Sequence, residues 1–271
     1  MTTDFSIESE RAFYHALAFA VRHQARLTLL HTGSESRDAV PWELFPGVRD
    51  TLARWGLLEA DAPRSAVAEQ LRLGVAKMAM RDDDPRQGIT DYLRKHPTDL
   101  LVMATEGRTG LARLFNSSVA DTVSYTTKSH TLMLPKHAPG FIDPKTGRSS
   151  LQRVLCALDA ETDPRPALSY LGEWLDILSG DNTVEVLVLH TGEPDRGPEL
   201  LLPQHPNQVW REETAAGEPL AAICAAARAL NAGLVAVSAR SPLRLIARMR
   251  GSLSDKIMRE LGLPLLSIPP F

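Results

Sequence analysis

The sequence predicts an α/β protein made of two tandem copies of one parallel-sheet domain. Three observations carry that expectation. Short apolar runs such as LTLLH, LLVMA and VEVLVLH alternate with helical patterns, which implies strands buried on both faces by covering helices. The two halves repeat each other in order. Between them, residues 137–150 read HAPGFIDPKTGRSS, rich in Pro, Gly, Ser and charge with no hydrophobic period. The repeat places domain 1 at residues 1–138, a linker at 139–150 and domain 2 at 151–271.

Four pairs of segments define the repeat. LTLLHTG (27–33) answers VLVLHTG (186–192), and DDPRQGI (83–89) answers GEPLAAI (217–223). DLLVMATEG (99–107) answers GLVAVSARS (233–241), and SSVADTV (117–123) answers GSLSDKI (251–257). In the first copy Ala12, Phe13, Ala16, Leu17, Ala20 and Val21 recur at helical spacing. Ser6 is the expected N-cap, and Glu8 and Glu10 suit the positive end of that helix. LTLLH and GVAKMAM read as strands and ITDYLRKH as a helix. LLVMA is a strand leading through a Gly-containing loop to a helix from about Ser118, and TLMLP is the last strand. Ligands of such sheets bind beyond the C-terminal strand ends, where the strand order reverses.

The copies differ in length at one place. Between His31 and Pro85 the first copy carries Val48, Leu52 and Trp55 on one helical face, followed by AVAEQL, another helical segment. Between His190 and Pro219 the second copy has Pro194, Pro198, Pro203 and Pro206, which forbid a long helix. Domain 2 is therefore expected to lack a covering helix and to bury that face against domain 1 or another chain.

The chain of 271 residues is 44% hydrophobic and 23% charged, a globular balance. A net charge of −3 gives no reason to expect nucleic acid or an anionic membrane as partner. No apolar run is long enough to cross a bilayer and the N-terminus does not read as a signal peptide, so the expected location is cytoplasmic. Cys156 and Cys224 sit in apolar stretches without metal-ligand spacing.

These segments resemble the universal stress protein family in its tandem two-domain form. The likeness rests on TDFSIESERAFYHALAFA, the LLHTG strand end, DDPRQGI and LLVMATEGRTGLARLFNSSVADTV, and on RVLCALD, GEPLAAI and AGLVAVSARSPLRLIARMRGSLSDKI in the second copy. It implies Rossmann-like domains of about five parallel strands, order 3-2-1-4-5, with helices on both faces. It also implies, for the members that bind ATP (with Mg), an acidic residue ending the first strand near the adenosine. A loop of the form G-x2-G-x9-G-[S/T] then wraps the phosphates, because glycines allow close backbone approach and the next helix N-terminus favours anions.

By that resemblance Asp4 takes the acidic position of domain 1, and Thr32 falls where the second strand approaches the base. Ala104-x2-Gly107-x9-Ser117-Ser118 is the loop, with Val119 following it. Only the middle glycine is kept, and a side chain at Ser117 would crowd the phosphates. In domain 2 the matching positions are Asp159, Thr191 and Ser238-x2-Ser241-x9-Gly251-Ser252, with Pro242 removing a loop amide. The family also often pairs through its last strand, here TLMLP and LPLLSIP, so a homodimer is one expected partner state.

Other candidates have plainer readings. His31 and His190 occupy matching strand ends without ligand-spaced partners, so they read as structural. Ser6, Ser117 and Ser118 are caps and loop hydroxyls, since no G-x-S-x-G elbow is present. Arg240, Arg244, Arg248 and Arg250 form a basic stripe if helical, most simply a solvated face. The chain therefore reads as a stress-response regulatory module without a catalytic constellation, any ATP hydrolysis being slow. The alternative is a nucleotide-free protein–protein interaction module. An enzyme of the ATP-pyrophosphatase type would need a Ser-Gly-Gly-type loop after the first strand, which DFSIES and DAETDP do not supply.

Only Met1, Thr2 and Thr3 precede Asp4, so the central strand of domain 1 is expected to be largely missing, leaving a gap in the core. A longer product starting upstream of Met1 would fill it.

Overall fold

The computed structural model describes residues 1–33, 40–82, 84–105, 127, 129–159, 163–180, 182–191, 200–238 and 253–269. The first half runs β1 (Thr2–Thr3), α1 (Ile7–Arg22), β2 (Arg26–Gly33), a 3-10 turn (Trp42–Leu44), α2 (Val48–Arg54), α3 (Ala66–Leu71), β3 (Gly74–Arg81), α4 (Pro85–Lys95), β4 (Leu100–Ala104) and β5 (His130–Leu134). The second runs β6 (Arg153–Asp159), α5 (Arg165–Ser179), β7 (Val184–Thr191), β8 (Gln208–Ala215), α6 (Pro219–Leu230), β9 (Leu234–Ser238), α7 (Leu253–Leu261) and β10 (Leu265–Ser267).

In the second half the order is β8-β7-β6-β9-β10, all parallel, which is 3-2-1-4-5 with the first strand central. The first half has β3-β2-β1 in one ladder and β4-β5 in another. β1 lies beside β4, yet no ladder joins them. The order is again 3-2-1-4-5, broken where the two-residue β1 is too short to pair on both sides. The expected gap is real: a cavity of about 510 Å3 opens below Met1, between β2 and β4.

The halves meet through their last strands. β5 and β10 pair antiparallel, Met133 opposite Leu265, Leu132 opposite Leu266 and Thr131 opposite Ser267, so seven strands form one sheet. Both strands are almost wholly buried. Left as edges they would offer apolar pairing templates to other chains. The pairing also brings α1 against α5, with the Phe19 and Trp174 rings 6.0 Å apart, and stacks His130 on Tyr170 at 3.5 Å. One apolar core lies under α1, α2, α3 and α5, the other under α4, α6 and α7, and both span the two halves.

The face of domain 2 expected to lack a helix is closed in two ways. α1 of domain 1 packs beside α5, and an extended run at 200–207 lies over α5, where Leu200 and Leu202 join the core. Gly172 permits this approach, because a Cβ there would sit 2.8 Å from Nε2 of His205. Gln208 Nε2 donates to the Gly172 carbonyl at 2.8 Å.

The segment between the domains is packed rather than loose. Phe141 and Ile142 are buried, and their amides donate to His15 Nε2 at 3.0 and 3.3 Å. The proton of His15 is therefore on Nδ1, which donates to the Arg11 carbonyl at 2.8 Å. Arg11 and Arg22 of α1 reach the carbonyls of Lys136, Ala138 and Gly147. Gly147 has φ +68, and a Cβ there would stand 2.5 Å from the Trp55 ring, so only glycine satisfies both conditions.

Burial holds His15 neutral, its pKa lowered to about 4 from 6.5. Because the unfolded chain binds the proton more tightly, stability is fully present above about pH 6.5 and is lost as pH falls towards 4. The expected loss is on the order of 3 kcal/mol, with His130, also lowered to about 4 by burial, acting in the same direction. Denaturant unfolding between pH 7.5 and 4 checks this. His15→Leu should flatten part of the slope and cost about 1–3 kcal/mol at pH 7.5, for two amides left without an acceptor. At the seam, Leu266→Ala is expected to cost about 2–5 kcal/mol and to lower one shared melting transition, read by calorimetry, rather than that of one domain.

Candidate functional site

The candidate site of domain 1 lies at the C-terminal ends of β1, β2 and β4. The ladder pairs Thr3 with His31, which brings Asp4 level with Thr32. Ala104 ends β4 alongside. The structure thus brings together Asp4, Thr32 and Ala104. Gly107, Ser117, Ser118 and Val119 lie outside the described residues, as do Gly251, Ser252, Ser241 and Arg240, Arg244, Arg248 and Arg250.

Asp4 makes the turn from strand to helix. Its Oδ1 accepts from the Ser6 amide at 3.1 Å and from the Ser6 hydroxyl at 2.5 Å. Ser6 caps α1, its Oγ accepting from the Ser9 amide at 3.2 Å. The other carboxylate oxygen, Oδ2, is buried with no hydrogen-bond partner among the described residues. A buried carboxylate oxygen without a donor is costly, so this atom can accept a hydroxyl or N–H from a bound molecule.

Beside it is an aromatic nest that the sequence reading did not identify. Phe5 adopts φ 60, a left-handed conformation that costs a side-chain-bearing residue roughly 1–2 kcal/mol. That turn directs its ring onto His31 at 4.8 Å, Trp42 at 5.2 Å and Phe45 at 5.7 Å. Lys77 Nζ sits 5.2 Å above the Trp42 ring. His31 Nδ1 donates to the Thr3 carbonyl at 2.9 Å, which fits its structural reading. The sequence signal for the nest was the pair Trp42 and Phe45, isolated from any periodic run.

In domain 2, β6 places Asp159 opposite Thr191; the Asp159 side chain is outside the described residues. His190 is buried, with Nε2 3.4 Å from Glu212 Oε1 but with no hydrogen-bond partner at either nitrogen among the described residues. Ser238 Oγ, at the position matching Ala104, is also buried without a partner among the described residues. Burial pushes the Cys156 thiol up to about 12 and raises Cys224 as well, so neither is an activated nucleophile. Among the described residues no group of three or more His, Cys, Asp or Glu could hold a metal ion, and no helix is long and apolar enough to cross a membrane.

Comparison with known proteins agrees with this architecture. The family model described as the universal stress protein family matches residues 1–135. A universal stress protein from Archaeoglobus fulgidus DSM 4304 superposes with a TM-score of 0.61 at 17% identity, over 99% of this chain and 94% of that one. A functionally unknown protein from Pseudomonas aeruginosa PAO1 superposes with a TM-score of 0.55 at 14% identity, over 95% and 87% of the two chains. At these identities the structures speak to fold alone. No curated protein matches the sequence significantly.

Asp4→Ala is expected to cost about 1 kcal/mol by releasing the Ser6 turn. Asp4→Asn, which keeps an acceptor for the Ser6 amide, should stay within about 0.5 kcal/mol of the parent. Equilibrium denaturation of the three proteins measures the difference.

Proposed function

We propose that the chain, which belongs to the universal stress protein family through residues 1–135, is a cytoplasmic stress-response regulatory module that binds an adenine nucleotide in domain 1. The observation carrying this reading is the buried Oδ2 of Asp4, without a hydrogen-bond partner among the described residues, at the sheet position where the strand order turns from β1 to β4. In this reading Asp4 accepts a hydrogen bond from the ribose or adenine, and Thr32 borders the base. The run from Ala104 through Gly107 to Ser117, Ser118 and Val119 meets the phosphates and their Mg ion. The nucleotide supplies a charged, ordering ligand. The protein supplies acceptors and backbone amides, and none of the described residues forms a nucleophile–base pair for turnover. Domain 2, with Asp159, Thr191, Gly251 and Ser252 at the matching positions, is the weaker site because Pro242 removes a loop amide.

A second reading, a nucleotide-free interaction module, is favoured by Ala104 and Ser117 standing where the family's binding loops carry glycine. A homodimer, in either reading, would need a surface other than β5 and β10, which are already paired with each other.

Equilibrium binding of ATP with Mg to the purified chain separates the readings. The expected result is saturable binding, weakened about tenfold or more by Asp4→Ala, as loss of one hydrogen bond to a charged acceptor predicts. Ser117→Gly should tighten binding and Asp159→Ala should leave it unchanged. Absence of binding in both the parent and Ser117→Gly would remove the nucleotide reading.

A further inference from the structure

β3 and β8 hold the same place in the two copies. Each is an eight-residue strand paired in parallel with β2 or β7 on its inner side, and each has an outer edge without a ladder among the described residues. A bare edge carries unpaired N–H and C=O groups that can template another strand. The two copies meet that hazard differently. β8 places Arg211, Glu212 and Glu213 at its centre. Arg211 is bonded there to Glu185 at 2.8 Å and to Glu213, and Glu212 lies 3.4 Å from His190. These charges satisfy one another and blunt the edge.

β3 has no such closure. From Arg72 to Arg81 the chain reads RLGVAKMAMR, three cations and no acid. Arg72, Lys77 and Arg81 are exposed and make no ion pair among the described residues; Lys77 Nζ lies over the Trp42 ring. Val75 and Met78 are large apolar side chains open to water. The register fixes how these groups point. The Asp82 amide donates to the Gly33 carbonyl at 3.0 Å, so the Asp82 N–H faces β2. Strand alternation then turns the N–H and C=O of Val75, Lys77, Ala79 and Arg81 outward. Lys77 is level with Leu29, in the core under α1, and Met78 with Leu30, in the core under α4. Lys77 and Arg81 therefore share one face of the edge with Val75, while Met78 and Met80 share the other.

We infer that the β3 edge is a docking strand for an extended acidic segment of a partner protein, added alongside β3 as one more strand of the sheet. Such a strand meets Lys77 and Arg81 on one face, and Met78 and Met80 on the other face between them. The complementary guest carries a carboxylate opposite each cation and a branched apolar residue opposite each methionine. Its pattern is acidic, apolar, any residue, apolar, acidic, which reads the same in both chain directions and so fits a parallel or an antiparallel guest. The outward backbone groups supply affinity and the cross-strand pairs supply selectivity, as in β-strand addition. A second copy of this chain is the poorer occupant, because pairing β3 with itself gathers two sets of cations on one seam. A nucleic acid would meet the charges but leave the outward N–H and C=O groups without a strand to pair. This surface is separate from Asp4 and does not rest on nucleotide binding.

The test uses the full chain and a dye-labelled peptide, Gly-Thr-Glu-Val-Thr-Val-Glu-Thr-Gly, blocked at both ends. Fluorescence anisotropy is expected to show saturable one-to-one binding. Replacing both peptide Glu by Lys should weaken it about tenfold or more, as should Lys77→Glu combined with Arg81→Glu in the protein. That doubly substituted protein should instead take the Lys-containing peptide, an exchange of preference that unfolding would not produce. N-methylation of the two Val, or of the two Glu and the central Thr, should abolish binding in one peptide and spare it in the other, since a strand presents alternate amides to each side. On binding, the amides of Lys77, Ala79 and Arg81 should gain hydrogen-exchange protection, while those of Ala76, Met78 and Met80, which face β2, should hardly change. Ala79→Pro removes an outward donor and leaves the β2 ladder intact, so this variant should fold and lose the peptide. No saturable binding, equal binding of the Lys-containing peptide, or tolerance of both N-methylated peptides would each overturn the proposal. So would protection appearing at β8 instead, or protection of the β3 amides by a second copy as the free chain is concentrated.

Discussion

The antiparallel pairing of β5 with β10 is the constraint on which the rest of the molecule depends. A doubly wound sheet has an edge after its last strand. In this chain both last strands are apolar and buried, so neither edge can face water or remain open to other chains. Pairing them with each other closes both edges at once and relates the two halves by an approximate two-fold axis. The consequences reach well beyond the seam. α1 and α5 are brought together on one face, α4, α6 and α7 cover the other, and two continuous cores run through both copies. The first copy's α1 and the run 200–207 together cover the face of domain 2 beside α5. His15 then ties α1 to the connecting segment by accepting two of its amides, with a neutral imidazole where a charged one could not be buried.

With the halves fixed in this way, the central strand of each copy sets what its strand ends can do. β6 is a seven-residue strand paired along both sides. β1 is two residues long and paired on one side. At its upper end β1 still delivers Asp4 to the sheet's turning point and still starts α1 through the Asp4–Ser6 turn. At its lower end the cavity between β2 and β4 opens.

Much of this was legible in the sequence. Alternation of LTLLH, LLVMA and TLMLP with helical patterns gave the strands, because burial on both faces leaves little room for polar residues in them. The ordered repeat then gave two copies of one fold, the family resemblance implied their strand order, and the TDFS stretch set beside RVLCALDA gave the short first strand. Three features were harder to read for physical reasons. β8, QVWREETA, is an edge strand with most side chains exposed, so it carries no apolar period. The connecting segment looked like a free linker because its two anchors, Phe141 and Ile142, are adjacent rather than periodic; what holds them is backbone hydrogen bonding to His15. The nest of Phe5, Trp42 and Phe45 depends on a left-handed Phe5, which no sequence pattern announces. At the site, Asp4 was readable from the strand-to-helix turn. Its division into one oxygen bonded to Ser6 and one without a partner among the described residues comes from three-dimensional geometry alone.

The central claim is that one fold is used twice, welded at its last strands, with a central strand paired along both sides in the second copy and along one side in the first. Native-state amide hydrogen exchange on the unliganded chain tests it most directly. The amides of Leu132 to Leu134 and Leu265 to Ser267 should exchange together, among the slowest in the protein. Those of Thr28 and Leu100, facing the cavity between β2 and β4, should exchange at least about tenfold faster than their counterparts Leu187 and Leu234. Equal protection of the two sets, or a seam that opens before either domain core, would contradict the account.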